Sequence, residues 1–122
     1  MIAPGIIIAT VAAFLASAVY YGIAPAAPAS EAVPQRATGT VVLVELLRNL
    51  AVSALLAGLL VAADWNGPDA GSLVGMSLWI LPAVLLAGSV FHEGVPIRRA
   101  AVHAVDWLIK LLAIGAIVGL FS

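Results

Sequence analysis

The chain consists of long apolar stretches separated by short polar ones, and the long stretches predict membrane-spanning helices. A helix needs about 20 apolar residues to cross the hydrocarbon core of a bilayer. We predict four such helices, over about residues 5–24, 39–63, 70–91 and 97–121. Proline and glycine mark the connections, because neither continues a helix well. Residues 24–38 contain Pro25, Pro28 and Pro34 and are predicted to form a loop, residues 64–69 form a turn, and Pro82 kinks the third helix.

Composition places the chain among membrane proteins. Hydrophobic residues make up 64% and charged residues 9%, and the mean hydropathy is +1.19, whereas soluble domains have roughly 25% charged residues. The predicted fold is therefore an all-α, integral membrane four-helix bundle formed by residues 1–122 as one domain. With five Lys and Arg in total, a basic surface for nucleic acid is not expected. Because cysteine is absent, disulfides and thiolate metal sites are excluded.

The first apolar stretch has two interpretations. The small residues at positions 24–30 resemble a signal-peptide cleavage region. However, no Lys or Arg precedes the stretch, so we expect it to be a retained helix. Tyr20 and Tyr21 would then lie at the membrane boundary, where amphipathic rings are common.

Small residues recur four positions apart, at Gly71/Gly75, Ala54/Gly58 and Gly115/Gly119. This spacing allows close helix contacts in membranes. It is equally compatible with the general abundance of Gly and Ala in membrane helices.

The distribution of Arg predicts the orientation. Arg36 lies between the first two helices, and Arg98 and Arg99 lie between the last two. Connections rich in Lys and Arg face the cytoplasm. We therefore expect a multi-pass protein of the cytoplasmic (inner) membrane with both termini external.

Ionisable residues lie on the second and fourth helices. Glu45, Arg48 and Asn49 share one face of the second helix, and His103, Asp106 and Lys110 lie within about 60° of one another on the fourth. Both helices begin on the predicted cytoplasmic side, so these polar faces lie in the same half of the membrane. An unpaired charge at mid-bilayer costs about 2.5–3.5 kcal/mol, which favours pairing.

We therefore predict a buried network in the cytoplasmic half. Arg48 and Lys110 would neutralise Glu45 and Asp106, while Asn49 and His103 would supply hydrogen bonds. The rest of the bundle would serve as hydrophobic casing. The alternative is that Glu45–Arg48 and Asp106–Lys110 are intrahelical pairs that only lower the cost of placing charged residues in a membrane helix.

Three further residues are secondary candidates. His92 and Glu93 are expected to be interfacial turn residues, and Trp107 to contribute to helix packing. The acids and histidines lack the tight spacing of a metal site. No nucleophile motif, phosphate-binding loop or zinc motif is present, so we expect neither a cofactor nor an enzyme.

Four regions of the chain carry a family resemblance: residues 12–15 with Tyr20, Tyr21 and Pro25; residues 88–96, around His92-Glu93-Gly94; residues 101–110, from His103 to Lys110; and the glycine-rich residues 115–119. In these regions the chain resembles a family of small bacterial membrane proteins, domain of unknown function 1761. The resemblance implies a four-helix membrane protein and implies no activity.

Three functional hypotheses follow. The polar layer forms a transport or solute-binding module for a small polar or ionic solute, which would require a homo-oligomer because four helices rarely enclose a pathway. Alternatively, the chain is a structural or accessory subunit of a membrane complex. A lipid-acting enzyme using His103 and Asp106 is a third possibility, but no nucleophile or metal set accompanies them.

Overall fold

The computed structural model describes residues 2–23 and 38–122, and every regular element in that part of the chain is a helix. The helices are α1 (Ala3–Ile23), α2 (Thr38–Ala63), α3 (Pro68–Leu78), α4 (Ile80–His92) and α5 (Ile97–Leu120). Since α3 and α4 form one span, the described residues contain four segments long and apolar enough to cross a membrane. The predicted all-α fold is confirmed. The loop predicted up to residue 38, including Arg36, lies outside the described residues, except for Thr38, which begins α2.

The third span begins at Pro68 rather than at residue 70 and is interrupted at Trp79. Proline suits the first turn of a helix because the N–H that it lacks would have no partner there. Gly67 precedes it with a φ of +98°, which glycine adopts without strain. The interruption lies three residues before Pro82, whose missing N–H removes the hydrogen bond to residue 78. The interruption therefore lies on the N-terminal side of Pro82, and a kink at Pro82 stays a prediction.

Neighbouring spans run antiparallel, and α2 and α5 run parallel. The N–H of Gly67, between α2 and α3, donates to the carbonyl of Gly119 at the end of α5 over 3.1 Å. α2 therefore ends where α5 ends, and both helices begin at the opposite side. We call that side the arginine end, after Arg98 and Arg99 in the first turn of α5.

The glycines of α3 and α5 bring the two backbones into contact. A Cβ atom at Gly71, Gly75, Gly115 or Gly119 would collide with a backbone carbonyl of the facing segment. These pairs are therefore a contact motif, as the small-residue spacing allowed. Ala54 and Gly58, in contrast, are both exposed on α2.

The apolar core occupies the half of the bundle away from the arginine end. It consists of Ala9, Ala13, Leu56, Ala57, Leu60, Leu111, Ile114 and Val118. The outer surface is also apolar, with Leu85 71% and Phe91 85% exposed. Such a surface suits a bilayer, in which lipid tails replace water.

Candidate functional site

Asp106 and Lys110 form the centre of the polar layer, one turn apart on α5. Lys110 Nζ lies 2.9 Å from Asp106 Oδ2. The two residues are only 3% and 2% exposed, respectively. Since burying a single charge is costly unless it is paired, each side chain depends on the other for its stability in the bundle.

α2 joins this pair through Glu45. Its Oε2 lies 3.0 Å from Lys110 Nζ, and its Oε1 lies 2.6 Å from Arg48 Nη1. The parallel course of α2 and α5 makes the link possible because it places Glu45 and Lys110 in the same half of the bundle. The charges of Glu45, Arg48, Asp106 and Lys110 sum to zero, and the network crosses between helices rather than consisting of intrahelical pairs alone.

α1 contributes directly to the network. Ser17 Oγ donates to Asp106 Oδ1 over 2.7 Å. Each oxygen of the Asp106 carboxylate therefore has a partner, from Ser17 or from Lys110. The expectation that the first helix would be only hydrophobic casing was wrong.

A second polar contact between α1 and α5 lies nearer the arginine end. The Tyr21 hydroxyl lies 2.6 Å from His103 Nδ1, and the Tyr20 hydroxyl donates to the carbonyl of Val102 over 3.0 Å. The two tyrosines thus bind α5, in addition to any role at the membrane boundary. His103 hydrogen-bonds to a phenol rather than to the four charged residues.

Trp107 contacts both cations. Its ring centroid lies 5.1 Å from Arg48 Cζ and 4.8 Å from Lys110 Nζ. Both distances permit cation–π attraction, which strengthens away from water. Trp107 also packs against the apolar core, as predicted for a packing residue, so it separates the core from the charges.

These side chains surround a partly open cleft of about 360 Å³ between α1, α2 and α5. Its polar lining comprises Ser17, Tyr21, Glu45, Arg48, His103, Asp106 and Lys110, and its apolar lining comprises Phe14, Ala18, Val41 and Trp107. Tyr21, Val41 and His103 are exposed and lie toward the arginine end. The cleft therefore presents both signs of charge beside an aromatic ring.

Asn49 differs from its predicted role. It is fully buried, and neither its Nδ2 nor its Oδ1 has a hydrogen-bond partner among the described residues. It lies one turn beyond Glu45, and one turn before Ser53, whose hydroxyl is 3.5 Å from that of Thr10. Asn49 thus lies between the charged network and a weak hydroxyl contact, and it bonds to neither.

Comparison with known protein families identifies a match. A family model described as a protein of unknown function, DUF1761, matches residues 4–119. The chain belongs to the DUF1761 family. No curated protein and no solved structure matches it. Membership confirms the resemblance of the sequence and leaves the function of this DUF1761 protein to be inferred from its own residues.

Two of the secondary candidates lie away from the cleft. His92 ends α4 and Glu93 follows it, and both are exposed. Neither residue lines the cleft. Within residues 2–23 and 38–122, no three His, Asp or Glu side chains are grouped closely enough to hold a metal ion.

The sequence of this DUF1761 protein contains a pattern that indicates the contribution of α1 to the polar cleft. Thr10, Ser17 and Tyr21 are spaced by seven and four residues, which places them on one helical face. Each is an uncharged residue that is ordinary in a membrane helix, and hydropathy alone does not distinguish such a stripe. Aligning the stripe with the charged faces of α2 and α5 would have revealed it.

Proposed function

We propose that this DUF1761 protein binds a small polar or ionic solute in the cleft between α1, α2 and α5, as part of a transport system. One observation carries the proposal: the charged network forms the wall of a cleft instead of being sealed inside the bundle. The proposed site is in the cytoplasmic membrane, with the arginine end in the cytoplasm, in keeping with the preference of Lys and Arg for that side. Both termini are then external.

The exposure of the charged groups supports binding over a purely structural role. The side chains of Arg48 and Glu45 are 48% and 23% exposed, whereas Lys110 is almost fully buried. A network that served only to hold helices together would gain from burying all its partners, since low polarity strengthens each interaction. Here the inner pair is shielded, and the outer pair faces the cleft.

The apolar half of the bundle supports a one-sided site. Four large apolar residues are fully buried there: Leu56, Leu60, Ile114 and Val118. A charged solute has no polar path through such a core. Transport would therefore require a second conformation, or a pathway formed between copies of the chain in a homo-oligomer.

Proteoliposome measurements test this proposal. Charge movement on a solid-supported membrane is recorded while ammonium, acetate, glycine and chloride are supplied in turn. We expect at least one of these solutes to evoke a current, and expect His103→Ala and Asp106→Asn to reduce it. His92→Ala is the matched control, since it removes a histidine at the same end but outside the cleft. Currents and binding that are unchanged in both cleft variants would exclude the proposal.

An accessory role in a membrane complex is the second candidate, and the exposure of α4 favours it. No residue of α4 is buried. The span that contains α4 buries a smaller share of its residues than each of the other three spans described. A helix so weakly covered has apolar surface available for another membrane helix.

Cross-linking distinguishes the partners of α4. Because the chain has no cysteine, Val84→Cys, at an exposed position of α4, reports on that face alone. A homo-oligomer gives a cross-linked dimer of this chain, whereas an accessory subunit gives a conjugate with another protein. Ile7→Cys on the exposed face of α1 is the control. The accessory role also predicts that cleft variants lower stability without altering any flux.

A further inference from the structure

A second cleft, of about 410 Å³, lies between α2 and α4. These two helices pack against neighbouring helices and not against each other. Arg48 and Trp107 line one part of this cleft, and the rest of the lining consists of leucines, one valine and one proline from α2, α3, α4 and α5. It is therefore an apolar groove with a single cationic side chain.

Arg48 is the cation that a ligand in this groove can reach. Its side chain is 48% exposed, and among the described residues its guanidinium makes one hydrogen bond, from Nη1 to Glu45. The other guanidinium N–H groups suit the oxygens of a phosphate or carboxylate, with which arginine forms paired hydrogen bonds. Lys110, in contrast, is enclosed and donates to two carboxylates.

The position of Arg48 along α2 fits a headgroup at the arginine end. The 26 residues of α2 extend about 39 Å, which exceeds the hydrocarbon core by about 9 Å. If that excess is shared between the two ends, the Arg48 Cα lies about 10 Å below the hydrocarbon boundary. A helical side chain leans toward the N-terminus, and a long arginine extends further to reach the interface. Arg98 and Arg99 add positive charge at the same end.

We propose that the groove binds one anionic phospholipid of the leaflet at the arginine end. An acyl chain lies between α2 and α4, and the phosphate accepts hydrogen bonds from Arg48 beside Trp107. Charge complementarity selects an anionic lipid because the apolar lining accepts any acyl chain, whereas Arg48 favours a negative headgroup. The groove shares Arg48 and Trp107 with the polar cleft, but it lies between α2 and α4, whereas the polar cleft adjoins α1. The lipid site therefore goes beyond the proposed solute site.

Trp107 fluorescence in nanodiscs tests the proposal, with brominated lipids as quenchers. Nanodiscs contain either dibromo-phosphatidylglycerol or dibromo-phosphatidylcholine at equal mole fraction. The Trp65→Phe background removes the exposed tryptophan, and subtracting the spectrum of Trp65→Phe/Trp107→Phe isolates Trp107. We expect an apparent binding constant about fivefold higher for the anionic lipid, the contribution of one arginine near a membrane surface. Arg48→Gln should abolish this preference.

Two variants separate a specific groove from general attraction. Arg99→Gln removes the same charge at the same end but away from the groove, and should retain the preference. Leu85→Phe adds a ring to an exposed groove residue without entering the core, and should reduce quenching by both lipids. It also shows whether the bromines reach Trp107 through the groove rather than through the polar cleft.

Three results would overturn the lipid site. Equal quenching by the two lipids would mean that the groove has no preference for anionic headgroups. If Arg48→Gln and Arg99→Gln lowered the preference equally, it would result from general surface charge and not from the groove. Absence of quenching by either lipid would mean that another helix, such as one from a second copy, fills the groove. His103→Ala leaves the groove intact, so solute flux can fail in that variant while the lipid preference remains.

Discussion

The hydroxyl of Ser17 lies 2.7 Å from Asp106 Oδ1, which links the uncharged first helix to a buried carboxylate of α5. A hydrogen bond to a charged group is stronger than one between neutral groups, and low polarity strengthens it further. Ser17 thus gives α1 a specific register against α5. Apolar packing alone would leave this register less well defined.

Replacing Ser17 tests the value of this contact. Ser17→Ala leaves Asp106 Oδ1 without its donor, so we expect the free energy of unfolding to fall by about 1–3 kcal/mol. Thermal unfolding in dodecyl maltoside, followed by circular dichroism, measures the change. Ser77→Ala is the control, because the exposed Ser77 hydroxyl donates to the carbonyl of Leu73 in its own helix. Equal effects of the two variants would contradict a special role for Ser17.

Lys110 is expected to be the most sensitive member of the charged network. Lys110→Met removes the cation shared by Glu45 and Asp106 and leaves Asp106 buried without a counter-charge. We expect a loss of about 3–5 kcal/mol in the free energy of unfolding, measured by denaturant titration. Asp106→Asn combined with Lys110→Met should recover part of this loss, since no buried charge then remains unpaired.

Arg48 provides the contrast to Lys110. Arg48→Gln leaves Glu45 paired with Lys110, and the Arg48 side chain is about half exposed. We therefore expect a loss of no more than about 1 kcal/mol, as for a partly exposed ion pair. A loss as large as that for Lys110→Met would mean that the cleft is closed and the outer pair is buried.

The four spans could be predicted from the lengths of the apolar stretches. The number of spans then predicts that the polar residues of α2 and α5 lie in the same half of the membrane. Four spans with short connections alternate in direction, so α2 and α5 must begin on the same side. Unpaired charges are costly in lipid, so the charged faces were expected to meet. That the charged faces of α2 and α5 meet follows from these two constraints, whereas the individual pairs do not.

The individual contacts of the candidate site depend on side-chain geometry that the residue pattern does not specify. Which cation binds which carboxylate depends on rotamers, and here Lys110 bridges two acids while Asn49 bonds to neither. Ser17 and Tyr21 carry no charge, so hydropathy does not mark them as members of the polar cleft. The break at Trp79 results from a missing hydrogen bond rather than from the proline ring itself, which explains its displacement from Pro82.

Close packing between α3 and α5 predicts opposite effects for two glycines of the third span. Gly71→Ala puts a Cβ against the carbonyl of Gly115. Because the backbone cannot rotate away as a side chain can, we expect the free energy of unfolding to fall by about 1–3 kcal/mol. Gly88→Ala meets no atom within 4 Å and should stabilise its helix by about 0.5–1 kcal/mol. Melting temperatures of the two variants, measured in the same detergent, should therefore move in opposite directions.

Asn49 gives a prediction in which stability and function diverge. Its amide is buried without partners among the described residues, and an unpaired buried polar group costs about 1–3 kcal/mol. Asn49→Leu keeps a similar size and removes that cost, so we expect the free energy of unfolding to rise by about this amount. The exposed Asn66 is the matched control, and Asn66→Leu should change stability little.

The two measurements together show why an asparagine occupies this position. If Asn49→Leu raises the melting temperature and abolishes the solute-evoked current, the amide belongs to a conformation used in transport. If stability rises and the current is unchanged, the amide has no part in the cycle. A fall in stability would instead show that Asn49 has a hydrogen-bond partner in the folded protein, and the arrangement of α2 at this level would need revision.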